Sequence, residues 1–240
     1  MNESMLVAGV GDGLGKSVAK RFAKEGYRVA VMARSADRLA RITNEIRAAG
    51  GEAKAYVCDV TKEADVIRTV AAVESDLGPL GAAVFNVSGR ARGSILELDA
   101  ADFESSWRMG CFAGFLVGRE AARKMVPRGH GTLIFTGATA SLRGGSHFAG
   151  FAAAKSGLRM VAQSMARELG PKGIHVASVI VDGAIDSVRM REQAPERIAA
   201  LGPDGALHPD AIADTYWHIH SQPRSAWSFE TDIRPWAEKF

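Results

Sequence analysis

Residues 8–15 read Ala8-Gly9-Val10-Gly11-Asp12-Gly13-Leu14-Gly15, a run in which every second position from 9 to 15 is glycine. Glycines let a backbone turn tightly and come within contact of an anionic group, and the exposed N–H groups of such a loop attract phosphate oxygens when a helix begins there. A helix opening near Leu14 would add the positive end of its dipole. The alternative is a tight strand-to-helix connection with no ligand, and the neighbouring elements decide between the two. Groups that could carry a proton lie much further on. Thr139, Ser141 and His147 are polar side chains close together in one short stretch, and of these residue types the imidazole is the usual proton carrier. A loop histidine without a named partner is as readily a surface residue. The two cysteines, Cys58 and Cys111, have no metal-ligand spacing and read as reduced thiols, so no metal is expected.

Short apolar runs alternate with longer segments of helical spacing along the chain. Strands are expected at residues 5–8, 28–32, 53–58, 82–86, 132–137 and 175–181, and a last one within 225–235. Helices are expected at 16–25, 37–49, 63–77, 103–125 and 149–169, several stopped by glycine: Gly26, Gly50-Gly51 and Gly78. Strands separated by helices throughout imply a parallel sheet with helices on both faces, the doubly wound α/β architecture. In this frame the glycine run joins the first strand to the first helix, which favours the phosphate-binding reading.

The 240 residues suit one large α/β domain spanning 1–240, with 183–209 expected as a mobile excursion that mixes Arg, Pro and Gly with only short helical patches. A hydrophobic fraction of 47% with 24% charged residues is that of a soluble globular chain. Lys plus Arg outnumber Asp plus Glu by only 30 to 27 and form no basic stripe, so no nucleic-acid partner is expected. The opening Met-Asn-Glu-Ser is no signal-peptide n-region and no apolar run reaches membrane length, so no membrane partner and a cytoplasmic location are expected.

Four separated motifs then give the chain a family likeness from about residue 5 to 187. Gly9, Gly13 and Gly15 match the TGxxxGxG fingerprint of the short-chain dehydrogenase/reductases, with Ala8 in the threonine position. Asp59-Val60 follows the third strand, Asn86-Val87-Ser88-Gly89 is similar to the family's NNAG element, and Lys155 lies in the expected helix. The resemblance implies a single Rossmann-type domain whose 183–209 region covers a small-molecule carbonyl or alcohol substrate. It also implies a nicotinamide cofactor contacted by Gly9, Gly11, Asp12, Gly13, Leu14, Gly15, Asp59, Val60, Asn86 and Lys155, and a homodimer or homotetramer built on the long helices.

An acidic residue at the end of the second strand would bind the ribose 2′-OH and repel a 2′-phosphate. This chain has Ala33-Arg34 there, and a guanidinium can pair with that phosphate, so NADP is expected over NAD. Arg34 as a solvated loop cation is the plain alternative. Asp12 pulls toward NAD, because many NADP-binding family members carry a basic residue at that position.

The family's catalytic Asn, Ser, Tyr and Lys fall on Cys111, Ala138, Phe151 and Lys155, so only the lysine is retained. A phenyl ring has no proton to give and a methyl cannot hold a substrate oxygen. Another donor is then needed, with His147 the first choice; the wider Tyr-to-Lys spacing of the enoyl reductase branch gives Phe148 and no phenol. Tyr27 and Tyr56 belong to the adenosine half of the sheet, and Tyr216 lies on a late helix. The resemblance therefore supports two functions: an NADP-dependent oxidoreductase with an altered proton donor, or a catalytically impaired regulatory or sensor protein on the same scaffold. Val181-Asp182-Gly183-Ala184 replaces the family's Pro-Gly turn, and Trp217, Trp227 and Trp236 form an aromatic tail expected to serve core or subunit contacts.

Overall fold

The computed structural model describes residues 3–89 and 91–239; Met1 and Asn2, at the head of the opening tetrapeptide, lie outside them. Among the described residues, seven strands form one sheet in the order β3-β2-β1-β4-β5-β6-β7, and every pairing is parallel. They are β1 (Ser4–Ala8), β2 (Arg28–Ala33), β3 (Glu52–Val57), β4 (Leu80–Phe85), β5 (Gly131–Ala138), β6 (Ile174–Val181) and β7 (Glu230–Ile233). This is a Rossmann-type α/β fold. The strand order reverses between β1 and β4, and the crevice outside the carboxyl ends of those strands is where such sheets take ligands.

Helices α1 (Leu14–Lys24), α2 (Ala36–Ala48) and α9 (Pro209–His220) cover one face through Val18, Phe22, Leu39, Ile42, Ile212 and Tyr216. On the other face, α3 (Glu63–Leu77), α5 (Ala113–Met125) and α6 (Ala149–Leu169) pack Val70, Leu116, Met125, Leu158 and Ala162 against Leu133 and Phe135. Both faces being covered explains why the central strands read as unbroken apolar runs rather than alternating ones.

One expected element differs in the structure. The helix expected at 103–125 begins earlier, at α4 (Ala100–Trp107), because the Asp99 carboxylate accepts from Ala101 N at 2.7 Å and caps it. It then passes through a π-helical turn, Arg108–Phe112, before α5. A single inserted residue leaves apolar periodicity on either side almost unchanged, so the pattern does not betray it. The 183–209 excursion holds short helical patches, as expected: α7 (Val188–Gln193) and α8 (Pro195–Leu201), with Ile185 bridged to Leu207. Of the three tail tryptophans, Trp217 packs edge-on against Phe22 and Trp227 stacks on His175 at 4.8 Å, both contacts within the chain, while Trp236 is 82% exposed.

Candidate cofactor and active site

The glycine run leaves β1 and enters α1 with Gly13 as its N-cap, no side-chain cap and no acidic residue in the first turn. The Lys16 N–H donates to Gly13 O at 3.0 Å, and among the described residues the Leu14 and Gly15 N–H groups ahead of it keep their donor capacity for an anion. Gly9 has φ +92°, and a Cβ there would lie 2.8 Å from the Asn86 carbonyl carbon and the Val87 nitrogen. A Cβ on Gly15 would come to 2.6 Å from the Gly9 carbonyl oxygen. Neither glycine can gain a side chain without moving backbone. Asn86 holds the arrangement from β4: its N–H donates to Ala8 O at 2.8 Å and its Nδ2 to Gly9 O at 3.1 Å. Gly11 faces open space, and Val10 and Leu14 are buried beneath the loop. The cradle thus fits a pyrophosphate.

Along the same carboxyl edge, Arg34 is exposed after β2 and Asp12 projects from the loop toward α2. Asp59 follows β3 and accepts from Thr61 Oγ1 at 2.7 Å and Thr61 N at 3.1 Å, which hold its carboxyl below the usual range against the opposing effect of burial. Val60 is buried beside it.

Lys155 is 3% exposed on α6, and its ammonium donates to Thr136 O at 2.7 Å and Val87 O at 3.5 Å, joining the ends of β5 and β4. Phe151 lies one turn earlier on α6, 9% exposed, with its ring 6.5 Å from that of Phe148. Ala138 ends β5, its N–H donating to Ser141 Oγ at 3.1 Å. Cys111 sits in the π-helical turn against α6, where a Cβ on Gly157 would lie 2.8 Å from its sulfur; burial pushes its thiol pKa up. His147 is exposed, with φ +65°, and its carbonyl accepts from Gly93 N at 3.2 Å. Among the described residues its ring has no hydrogen-bond or ion-pair partner. Tyr216 is excluded as a proton donor to the crevice: it is fully buried on the opposite face of the sheet, its hydroxyl sharing a 2.8 Å hydrogen bond with Thr136 Oγ1.

Two features escaped the sequence reading. Ser187, ahead of α7, closes over the glycine loop, its Cβ lying 3.1 Å from where a Cβ on Gly13 would be. Thr139 Oγ1 donates to Asp182, a carboxylate only 4% exposed, and Arg234 Nε lies 3.8 Å from the same carboxylate. The β5–β6 register, Ala138 opposite Val181, makes Thr139 and Asp182 neighbours. Asp182 beside Gly183 was the available signal, but its partner could be read only from that register.

The short chain dehydrogenase family model matches residues 3–198. The chain belongs to the short-chain dehydrogenases. A short-chain dehydrogenase from Rhodopseudomonas palustris is 44% identical, covers 98% of this chain and 100% of its own, and superposes with a TM-score of 0.85. Sorbitol-6-phosphate 2-dehydrogenase of Escherichia coli is 30% identical over 90% of this short-chain dehydrogenase and 83% of its own length. The rat 3-oxoacyl-[acyl-carrier-protein] reductase is 33% identical over 77% and 76% of the two chains. Actinorhodin polyketide ketoreductase, solved with NADPH, is 26% identical, covers 98% of this chain and 97% of its own, and has a TM-score of 0.88.

Proposed function

We propose that this short-chain dehydrogenase is an NADP(H)-dependent oxidoreductase acting on a small carbonyl or alcohol substrate, with Phe151, Ala138 and Cys111 replacing the family's Tyr, Ser and Asn. The observation that carries the reading is the Lys155 ammonium, buried at the junction of β4 and β5 beside a glycine cradle with uncapped helix N–H groups. The glycine loop and the start of α1 hold the pyrophosphate, Arg34 meets the 2′-phosphate, and Lys155 binds the hydroxyls of the nicotinamide ribose. The bound dinucleotide supplies hydride-transfer chemistry. Phe151 and Ala138 contribute shape and water exclusion but no proton, so His147 is the first candidate for the acid. The names of the relatives, two reductases of keto groups and a polyol phosphate dehydrogenase, accord with carbonyl and alcohol chemistry. The protein is read as a cytoplasmic homodimer or homotetramer.

Phe151 itself favours the second reading, a nucleotide-binding regulatory or sensor protein whose chemistry has decayed. Titration with NADPH and NADH, followed by a screen of carbonyl compounds and alcohols, separates the two. NADPH is expected to bind more tightly, and Arg34→Ala to remove most of that preference with NADH affinity nearly unchanged. Equal wild-type affinities overturn the cofactor assignment. Binding without turnover across the screen transfers the conclusion to the regulatory reading.

A further inference from the structure

Phe151 lies one turn before Lys155 on α6, and a line of contacts leads from it to the surface. Its ring is 6.5 Å from that of Phe148, and the Arg92 guanidinium lies over the Phe148 ring, 4.7 Å from its centroid. Arg92 follows β4 at the carboxyl edge of the sheet, in a segment tied to the start of α6. Gly93 N donates to His147 O at 3.2 Å, and a Cβ on Gly150 would meet the Ala91 Cβ at 3.4 Å. Arg143 leads a turn that folds back on the same ring: Phe148 N donates to Gly145 O at 3.1 Å, and a Cβ on Gly145 would lie 3.6 Å from the Phe148 ring. Both arginines are exposed, and among the described residues neither guanidinium has a hydrogen bond or an ion pair. Arg191 on α7 differs, since both its arms donate to Asp186 at 2.6 Å. A guanidinium stacked on a ring uses its face, so the N–H groups along the edge of Arg92 stay free for a bidentate oxyanion.

We infer that Arg92, supported by Arg143, is a recognition site for an oxyanion, so that the substrate of this short-chain dehydrogenase carries a carboxylate or phosphate besides its carbonyl or alcohol group. This rests on the reading that such a substrate enters the crevice beside Phe151 and Lys155. The Phe148 ring restricts the Arg92 side chain before any ligand arrives, so less rotamer freedom is lost on binding. Arg143, which has no such stack among the described residues, contributes attraction more than geometry. α6 has no acidic residue in its first turn to compete for either cation. Because both guanidinium groups are exposed and unpaired, removing them should be felt in ligand discrimination and not in stability.

The test is calorimetric titration of wild type and Arg92→Gln, each with and without saturating NADPH, using two matched pairs of ligands. One pair is 4-oxopentanoate and its neutral amide; the other is dihydroxyacetone phosphate and dihydroxyacetone. In wild type the anionic member of at least one pair is expected to bind at least about tenfold more tightly than its neutral counterpart. The pair that shows the difference tells carboxylate from phosphate. Arg92→Gln should remove the difference, Arg143→Gln should reduce it, and Arg92→Lys, with the charge but not the fork, should keep only part of it. Concentrated salt should narrow it. NADPH affinity and melting temperature should match wild type in every variant. Equal affinities within both pairs, no binding by either anion, or a difference that Arg92→Gln leaves in place overturns the inference. NADPH binding without Arg92-dependent anion binding sinks this inference alone. Arg92-dependent anion binding in a protein that takes no NADPH sinks the dinucleotide reading and leaves the oxyanion site standing.

Discussion

Lys155 reaches Thr136 across the helix–sheet boundary, its ammonium donating to the Thr136 carbonyl at 2.7 Å although the lysine is only 3% exposed. A charge buried this far needs such acceptors, and the carbonyls of Thr136 and Val87 hold it near the carboxyl ends of β5 and β4. Lys155→Met should therefore weaken NADPH binding at least about tenfold, within the roughly 1.5–3 kcal/mol of a charged hydrogen bond. Binding of 2′,5′-ADP, which lacks the nicotinamide ribose, should be unchanged. Equal losses for both ligands would point to a damaged fold instead of a lost ribose contact.

At the opposite edge of the sheet, His220 at the end of α9 shares hydrogen bonds with the Tyr27 hydroxyl at 2.8 Å and Thr132 Oγ1 at 2.9 Å. Burial, with His175 nearby, lowers its pKa to about 4. The unfolded chain then binds more protons than the folded one at mildly acidic pH. The stability from this histidine is complete above about pH 6.5 and is lost progressively as pH falls toward 4. Each unit of difference is worth about 1.4 kcal/mol, so the loss is on the order of 2–3 kcal/mol. His175, also lowered by burial, acts in the same direction. Urea midpoints measured between pH 7.5 and 4.5 should decline, and His220→Gln should flatten the decline. A level wild-type profile over that range contradicts the assignment.

Much of this architecture is legible in the residues. The bounds of α3 and α6 agree with the spacing of their apolar residues, and the glycines at 9, 13 and 15 announce the β1–α1 turn. Glycines and periodicity are local signals, and they locate local structure. The π-helical turn around Cys111 was invisible because one extra residue barely shifts a helical pattern. The Thr139–Asp182 pair was invisible for a different reason: it depends on the register of β5 against β6, which no local pattern encodes. The Arg41–Asp12 contact likewise joins residues 29 apart. Where the site depends on long-range pairing, the sequence names the residues without showing which of them meet.

Assembly can be predicted from the faces of α4 and α6. Gly110 meets Ala154 and Gly118 meets Phe135 and Met165 within the same chain, so these small residues are committed to internal helix packing. Phe103 and Trp107 on α4 remain 39% exposed, and Met160 on α6 is 47% exposed. A homodimer or homotetramer burying these larger side chains is expected. Light scattering should give a mass of two or four chains, and Trp107→Glu combined with Met160→Glu should shift it to one. A wild-type monomer at micromolar concentration would count decisively against this.

The proposed replacement of the acid at position 151 has the most direct test. Phe151 lies one helical turn before Lys155, and Ala138 closes β5 on the strand whose carbonyl holds that lysine. The double change Phe151→Tyr with Ala138→Ser adds a phenol beside an ammonium and a hydroxyl beside the substrate carbonyl, supplying a proton donor and part of the oxyanion support. Either change alone should do less, since the phenol then lacks a held substrate or the hydroxyl lacks a proton to pass. A positioned general acid contributes roughly 10² to 10⁴ in rate, and a pocket not shaped for the test substrate should realise the lower part of that range. The double variant is therefore expected to gain at least about tenfold in NADPH-dependent reduction of an activated ketone. Fast wild-type turnover that the double change slows would mean that the chain already carries a different donor. His147→Ala is then the deciding variant: its exposed ring has no competing partner among the described residues, so loss of turnover would trace to the proton and not to a broken contact.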